Sequence, residues 1–127
     1  MKAWLIAFGL FSLVGCGSLA GNASNGKVLF NRSALGTGAS AKEGCVMCHA
    51  IEAGISGKGP SLAGYGSEAG EHYKDHQFES AVDYVVDTMV NPDGEIASGF
   101  SAGVMPKYSG ILSEQELADL AAYLLTL

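Results

Sequence analysis

Five residues, Cys45-Val46-Met47-Cys48-His49, constrain this chain more than any other stretch. Two thiols three positions apart, followed directly by an imidazole, gather three metal- or vinyl-reactive groups on one turn of backbone. Such a group binds or reacts with something, and the surrounding fold must accommodate that partner. A second stretch bears on the same question. Well downstream, "AGVMPKYSG" carries Met105, a soft thioether, in a loop rich in Gly and Pro.

Three chemistries compete for the cysteine pair. Covalent haem attachment uses two thiols, each adding to a vinyl group, with the following histidine carried beneath the iron as an axial ligand. C-x-x-C-H supplies those groups at that spacing. A zinc site would instead draw on Cys45, Cys48, His72 and His76, which read C-x2-C…H-x3-H. Its 23 intervening residues exceed the usual length of roughly 12–15, are Gly-rich and lack the hydrophobics of a finger. Zinc also leaves His49 without a role. A thioredoxin-like dithiol would require a strand–helix unit, and the pattern contains none. Haem is the reading that employs all three residues.

A haem iron held by His49 has a second face, which can stay open, bind water, or take His or Met. Met47 lies between the cysteines and cannot reach that face. Met89 falls on the apolar side of a predicted helix, where methionine is commonly core filling. His72 and His76 sit among Glu71, Lys74, Asp75 and Gln77, a stretch that reads as a solvated helix face. Met105 is the preferred candidate: Gly103 would let the backbone approach closely, and Pro106 stiffens the chain just beyond.

The N-terminus reads as a targeting segment. Lys2 precedes an almost unbroken apolar run of 13 residues, Ala3–Gly15, short of the roughly 18 needed to span a bilayer. The run ends in "LVGC", which resembles the lipobox of bacterial lipoproteins, whose cysteine becomes a lipidated N-terminus. Residues 1–15 are therefore read as a lipoprotein signal peptide and Cys16 as the lipidation site, with a plain secretory signal as the alternative. That leaves Cys45 and Cys48 as a pair in an oxidising compartment. "CGSLAGNASN", residues 16–25, reads as a flexible tether, and residues 26–127 as one domain. A net charge of −6 argues against nucleic acid as a partner.

Within the domain, a short helix is expected over Gly26–Asn31, followed by a small-residue loop into the cysteines. "GKGPSLAGYGSEAG" reads as a second loop. Phe78, Val82, Val85, Val86 and Met89 follow helical steps, and "NPDG" ends that helix at Val90. Ser113 and Glu116 form an S-x-x-E capping box for a last helix whose apolar face is Leu117, Leu120, Ala121 and Leu124. No strand alternation is visible, so the class is all-α with long loops.

With those residues in hand, the chain resembles class I c-type cytochromes over Gly26–Leu127. The resemblance implies three to five short helices and long loops wrapped around one covalently bound haem c. Cys45 and Cys48 would form the thioethers, and His49 and Met105 the axial ligands. "GKVLF" is similar to the family's first helix, so Gly26 and Phe30 should pack on the last helix against Tyr123. "GPSLAG" resembles the loop beneath the haem, where the Pro60 carbonyl would accept the His49 Nδ1–H and orient the ring. "NPDGEIASGFSAGVMP" is similar to haem c domains of bacterial haem–copper oxidase subunit II and to small monohaem lipoprotein subunits of respiratory complexes. One departure is the 14-residue interval, Asn31–Gly44, between Phe30 and Cys45, where the family usually has only a few residues.

The implied function is electron transfer within a bacterial respiratory chain, to or from a terminal oxidase or quinol-oxidising complex. The chain would be an electron carrier or electron-transfer subunit rather than an enzyme. A haem enzyme or gas sensor with a labile sixth ligand is the alternative. Expected partners are redox proteins of that chain and, through Cys16, a membrane facing the periplasm or extracytoplasmic side; no small-molecule substrate is expected. Lys42, Lys58 and Lys107 lie beside the haem-binding segments and form a candidate basic rim for docking.

Overall fold

The computed structural model describes residues 19–127. The signal peptide read at 1–15 and the proposed lipidation site Cys16 lie outside the described residues. Among the described residues no helix is long and apolar enough to cross a membrane. The elements in chain order are α1 (Ala23–Phe30), β1 (Ala34–Leu35), β2 (Lys42–Glu43), α2 (Tyr65–Asp75), α3 (Ala81–Val90) and α4 (Glu114–Leu124). This is the expected mostly helical, loop-rich class, with one small two-stranded sheet added.

Helix α1 starts three residues earlier than expected because Asn22 caps it, its side chain accepting the Asn25 N–H at 3.0 Å. The last part of the presumed tether is thus docked: the Asn22 N–H donates to Asp119 Oδ1 at 2.7 Å and the Ala20 carbonyl accepts from Gln115 Nε2 at 3.0 Å. Gly26, Leu29 and Phe30, at steps of three and four, are buried on one face of α1. Helix α4 has the capping box in full, with the Ser113 side chain on the Glu116 N–H and the Glu116 carboxylate on the Ser113 N–H at 2.9 Å. From Leu117 to Leu124 all but one residue, Ala122, is buried, since α1 covers one side of α4 while α3 and the cavity cover the other.

The α1–α4 crossing is the most extensive helix contact and follows the expected pattern. A Cβ at Gly26 would run into the Asp119 carbonyl, so only a hydrogen fits where the helices touch. One turn on, Phe30 and Tyr123 meet edge to face, with ring centroids 5.5 Å apart and planes at 61°. Asp119 is 5% exposed yet charged, and its carboxylate is matched by three donors: the Asn22 N–H, the Gln115 amide and the Asn25 amide. Those donors, the Asn22 backbone foremost, hold its carboxyl below the ordinary carboxylate range.

The 14-residue interval is not a loose insert. β1 and β2 pair antiparallel, Ala34 opposite Glu43 and Leu35 opposite Lys42, and the Gly44 N–H donates to the Ser33 carbonyl at 2.8 Å. The excursion leaves and re-enters the body at one place, so Gly44 delivers Cys45 next to the end of α1. Leu35, 1% exposed, pins the hairpin to the core, and the Tyr108 hydroxyl donates to the Glu43 carbonyl from the opposite side. Strands of two residues are too short to leave an alternation in sequence.

Two other boundaries moved. The stretch from Tyr65 onward, read as loop, is the first half of α2. Its Gly content lowers helix propensity, but Ala69 is fully buried, and a Cβ at Gly66 would strike the Leu125 carbonyl. Helix α3 begins at Ala81 rather than Phe78, because Ser80 caps it by accepting the Asp83 N–H at 3.2 Å. Its most buried residues are Tyr84, Val85 and Met89.

Candidate cofactor site

The cysteine pair sits on a single 3-10 turn, Cys45–Met47, with Gly44 before it. A 3-10 turn repeats every three residues, so side chains at i and i+3 eclipse. Cys45 and Cys48 therefore project to the same side, and Val46 and Met47 turn outward at 41% and 52% exposure. The Cys48 and His49 N–H groups both donate to the Cys45 carbonyl, at 3.1 and 2.9 Å, which fixes His49 directly after the turn. The two thiols are not joined to one another. Burial pushes the Cys45 thiol up to about 11, the opposite of what an activated redox dithiol requires.

His49 is held from a second loop. Its Nδ1 lies 2.8 Å from the Pro60 carbonyl, which can only accept, so Nδ1 carries a proton and Nε2 is the ring nitrogen left to bind a metal. Behind the ring is Gly59, where a Cβ would collide with the imidazole, 2.8 Å from Nδ1 and 2.9 Å from Nε2. The loop is shaped around the ring. It is anchored by the Gly59 N–H on the Cys48 carbonyl at 3.0 Å and the Leu62 N–H on the Ala50 carbonyl at 2.8 Å.

Met105 comes from the long loop between α3 and α4 and is half-buried against the core. That loop is braced at both ends. The Tyr108 N–H donates to the Met89 carbonyl at 3.0 Å, and the Gly103 N–H donates to Asp93 Oδ1 at 2.8 Å. Gly103 serves a different purpose from the close approach expected of it. Nothing lies within 4 Å of its would-be Cβ, but its φ of +75° is the left-handed region that favours glycine.

These segments enclose one cavity. Cys45, Cys48, His49, Pro60 and Met105 all line it, together with Phe30, Leu62, Met89, Phe100, Val104 and Leu124. The cavity measures about 260 Å³ and opens to solvent on one side, near the lower end of the roughly 300–1,000 Å³ of an ordinary small-molecule cleft. Tyr65, Tyr84, Thr88 and Glu95 add a polar arc that the sequence reading had not singled out. Tyr84 and Tyr108 stay neutral, since burial above all pushes their hydroxyls well beyond the ordinary phenol range. At the mouth, Lys58 pairs with Glu43 at 2.8 Å. One of the three lysines of the candidate rim is thus already matched by an acid of this chain.

His72 and His76 do not join the cysteines. They group with Glu95 instead; Glu95 lines the cavity around His49, but neither histidine does. The four-residue set that a zinc finger would need is not assembled. The donors and walls do suit a haem c: paired thiols on one side of a turn, an imidazole oriented by Pro60, and an open cavity with mainly apolar walls.

Fold and site together are those of a small, mostly helical protein whose residues could hold one planar cofactor covalently. The sequence model of the cytochrome c family matches residues 23–127, and the chain belongs to that family. No curated protein matches it significantly. The family binds haem c covalently, one haem being usual for a domain of this size, and the chain is accordingly a haem-based electron-transfer protein.

Proposed function

We propose that this chain is a lipid-anchored monohaem electron carrier with His49 and Met105 as axial ligands and Cys45 and Cys48 as the thioether positions. The observation that carries the reading is that these four side chains wall one apolar cavity in which the His49 ring is already oriented by Pro60. When bound, haem c supplies one-electron chemistry at iron. Cys45 and Cys48 hold the group from one edge through a single rigid turn. Donation from Nδ1 to the Pro60 carbonyl fixes the tautomer and makes Nε2 a stronger donor. Met105 offers a neutral thioether, which favours the reduced state relative to a second imidazole. Phe30, Leu62, Phe100 and Leu124 give the cavity apolar walls beside the two donors. If His49 and Met105 both hold the iron, no position would remain on it for a substrate, which supports a carrier rather than an enzyme.

The lipobox-like "LVGC" supports anchoring through Cys16 on the extracytoplasmic side. From Cys16 to Ala20 the chain reaches at most about 14 Å, so an anchored domain would stay close to the membrane and meet partners there. The stretch "NPDGEIASGFSAGVMP" supports partners in a respiratory chain, a terminal oxidase or quinol-oxidising complex.

Met89 also lines the cavity, 3% exposed, and the test separates it from Met105. Met105→Ala in the holoprotein should abolish the weak far-red band of Met-ligated ferric haem, lower the midpoint potential and admit CO to the reduced protein. Met89→Leu should keep the parental spectrum. Parental spectra in Met105→Ala, or CO binding to the unsubstituted protein, would replace the carrier reading with that of an open-site haem enzyme or sensor. Cys16→Ser should release spectrally unchanged holoprotein into the soluble extracytoplasmic fraction.

A further inference from the structure

One cluster supplies no ligand or attachment point in the function above, although one of its members, Glu95, also lines the cavity. His72 stands in the last turn of α2 and His76 is its C-cap, four residues on, so both imidazoles project from one face. Their ring centroids are 6.2 Å apart. Glu95 reaches the same point from the loop that follows α3. One ligand atom from each of the three residues falls within 4.8 Å of the others.

We propose that His72, His76 and Glu95 form a second metal site, for a divalent ion that favours imidazole and carboxylate, with Zn²⁺ as the natural occupant. The donor set is two neutral nitrogens and one carboxylate oxygen, which leaves a fourth tetrahedral position for water. Bonds of about 2.0–2.1 Å put neighbouring ligand atoms of a tetrahedron about 3.4 Å apart. His76 Nε2 and Glu95 Oε2 are already 3.4 Å apart. The remaining separations are no more than 4.8 Å, and the side chains are partly exposed, which leaves them room to rotate inward.

The surroundings fit this use. Tyr84 donates to Glu95 Oε2 at 2.8 Å and its ring stacks on His76, centroids 5.6 Å apart and planes at 27°. A hydrogen-bonded carboxylate and a packed imidazole are what orient ligands around an ion. A polar recess lined by Asp87, Thr88 and Asn91 adjoins His76 and Glu95. The chain's net charge of −6 favours cations over anions at the surface. Without an ion, the same residues would form only a half-exposed His76–Glu95 pair of little energetic weight.

An ion here would tie the end of α2 to the α3–α4 loop. That loop carries Ile96, Ala97 and Met105, all of which line the haem cavity. Occupancy should therefore stiffen the wall that holds Met105, but the site does not depend on which methionine ligates the iron.

Calorimetric titration of Zn²⁺ into tag-free, metal-stripped holoprotein should show one ion per chain and a raised melting temperature. His72→Ala and Glu95→Gln should each weaken binding by about tenfold or more, and His72→Ala, which lies outside the cavity lining, should keep the parental haem spectrum. Lys74→Ala, on the same helix but outside the donor set, should bind as the parent does. Glu95→Gln keeps an acceptor for Tyr84, so it decides alone if His72→Ala folds poorly. Absence of a one-to-one phase, or equal affinity in Glu95→Gln and parent, would overturn the site.

Discussion

Substituting alanine for glycine at two helical positions should give opposite signs, because one site is governed by helix propensity and the other by helix crossing. Gly70 lies on the exposed face of α2 with nothing within 4 Å of a built Cβ. Gly70→Ala therefore recovers only backbone entropy, a stabilisation of about 0.5–1 kcal/mol. Gly26 carries the same propensity term inside α1, but its Cβ would overlap the Asp119 carbonyl and crowd Tyr123 Cβ at 2.8 Å. A backbone carbonyl cannot rotate away, so α1 must lift from α4. Overpacking of this kind costs about 1–3 kcal/mol. Separating Phe30 from Tyr123 forfeits a further 0.5–1.5 kcal/mol or so of the aromatic pair. Against a gain of about 1 kcal/mol, Gly26→Ala should destabilise by about 0.5–3.5 kcal/mol. Urea titration of the ferric holoprotein, followed by far-UV circular dichroism, reads both values on one scale. The midpoint should fall for Gly26→Ala and rise for Gly70→Ala. A rise at both positions would mean that α1 and α4 are not in close contact, and the crossing argument would be wrong.

Leu35→Ala tests whether the hairpin between α1 and the cysteines is part of the core; at 1% exposure it should cost about 2–5 kcal/mol, whereas a loose insert would lose almost nothing. Asp119 has a folded pKa held below its unfolded value of about 3.9, so its contribution is complete above that pH and is lost as pH falls through the lower folded value. Asp119→Asn should accordingly flatten the acid limb of the stability–pH curve, and superimposable acid limbs would count against the clasp. Gly59→Ala crowds the His49 ring off the Pro60 carbonyl and should sharply lower the yield of haem-loaded protein; a parental yield with a parental spectrum would show that the loop does not set the ring.

What could be read directly from the chain were features whose chemistry or periodicity is local. C-x-x-C-H names its cofactor because two thiols and an imidazole at that spacing suit few other partners. The α4 boundary was legible because Ser113 and Glu116 satisfy each other across three residues, and its apolar face because helical spacing repeats in sequence. Gly26, Phe30, Tyr123 and Pro60 were legible only through the resemblance to class I cytochromes, and the geometry then supplied their reasons. Helix α2 was hidden because Tyr65–Gly70 is poor in helix formers, and what holds it is burial of Ala69 and close approach to Leu125. The hairpin was hidden because its two-residue strands leave no period; Leu35 in the core and Tyr108 on Glu43 fold it back. The glycine at 103 was legible as a special position, but its positive φ, not a close approach, was the reason.

By itself, then, the sequence determined the attachment chemistry, the helical class and the two segments, Cys45–His49 and the loop around Met105, that line one cavity, since each depends on residues within a few positions. Only the tertiary structure decided how α1 meets α4, that Glu43 takes Lys58, and that His72, His76 and Glu95 converge. Those outcomes depend on groups between 15 and 97 positions apart in the chain, such as Lys58 with Glu43 and Asn22 with Asp119, and over such distances it is packing that decides which side chains meet.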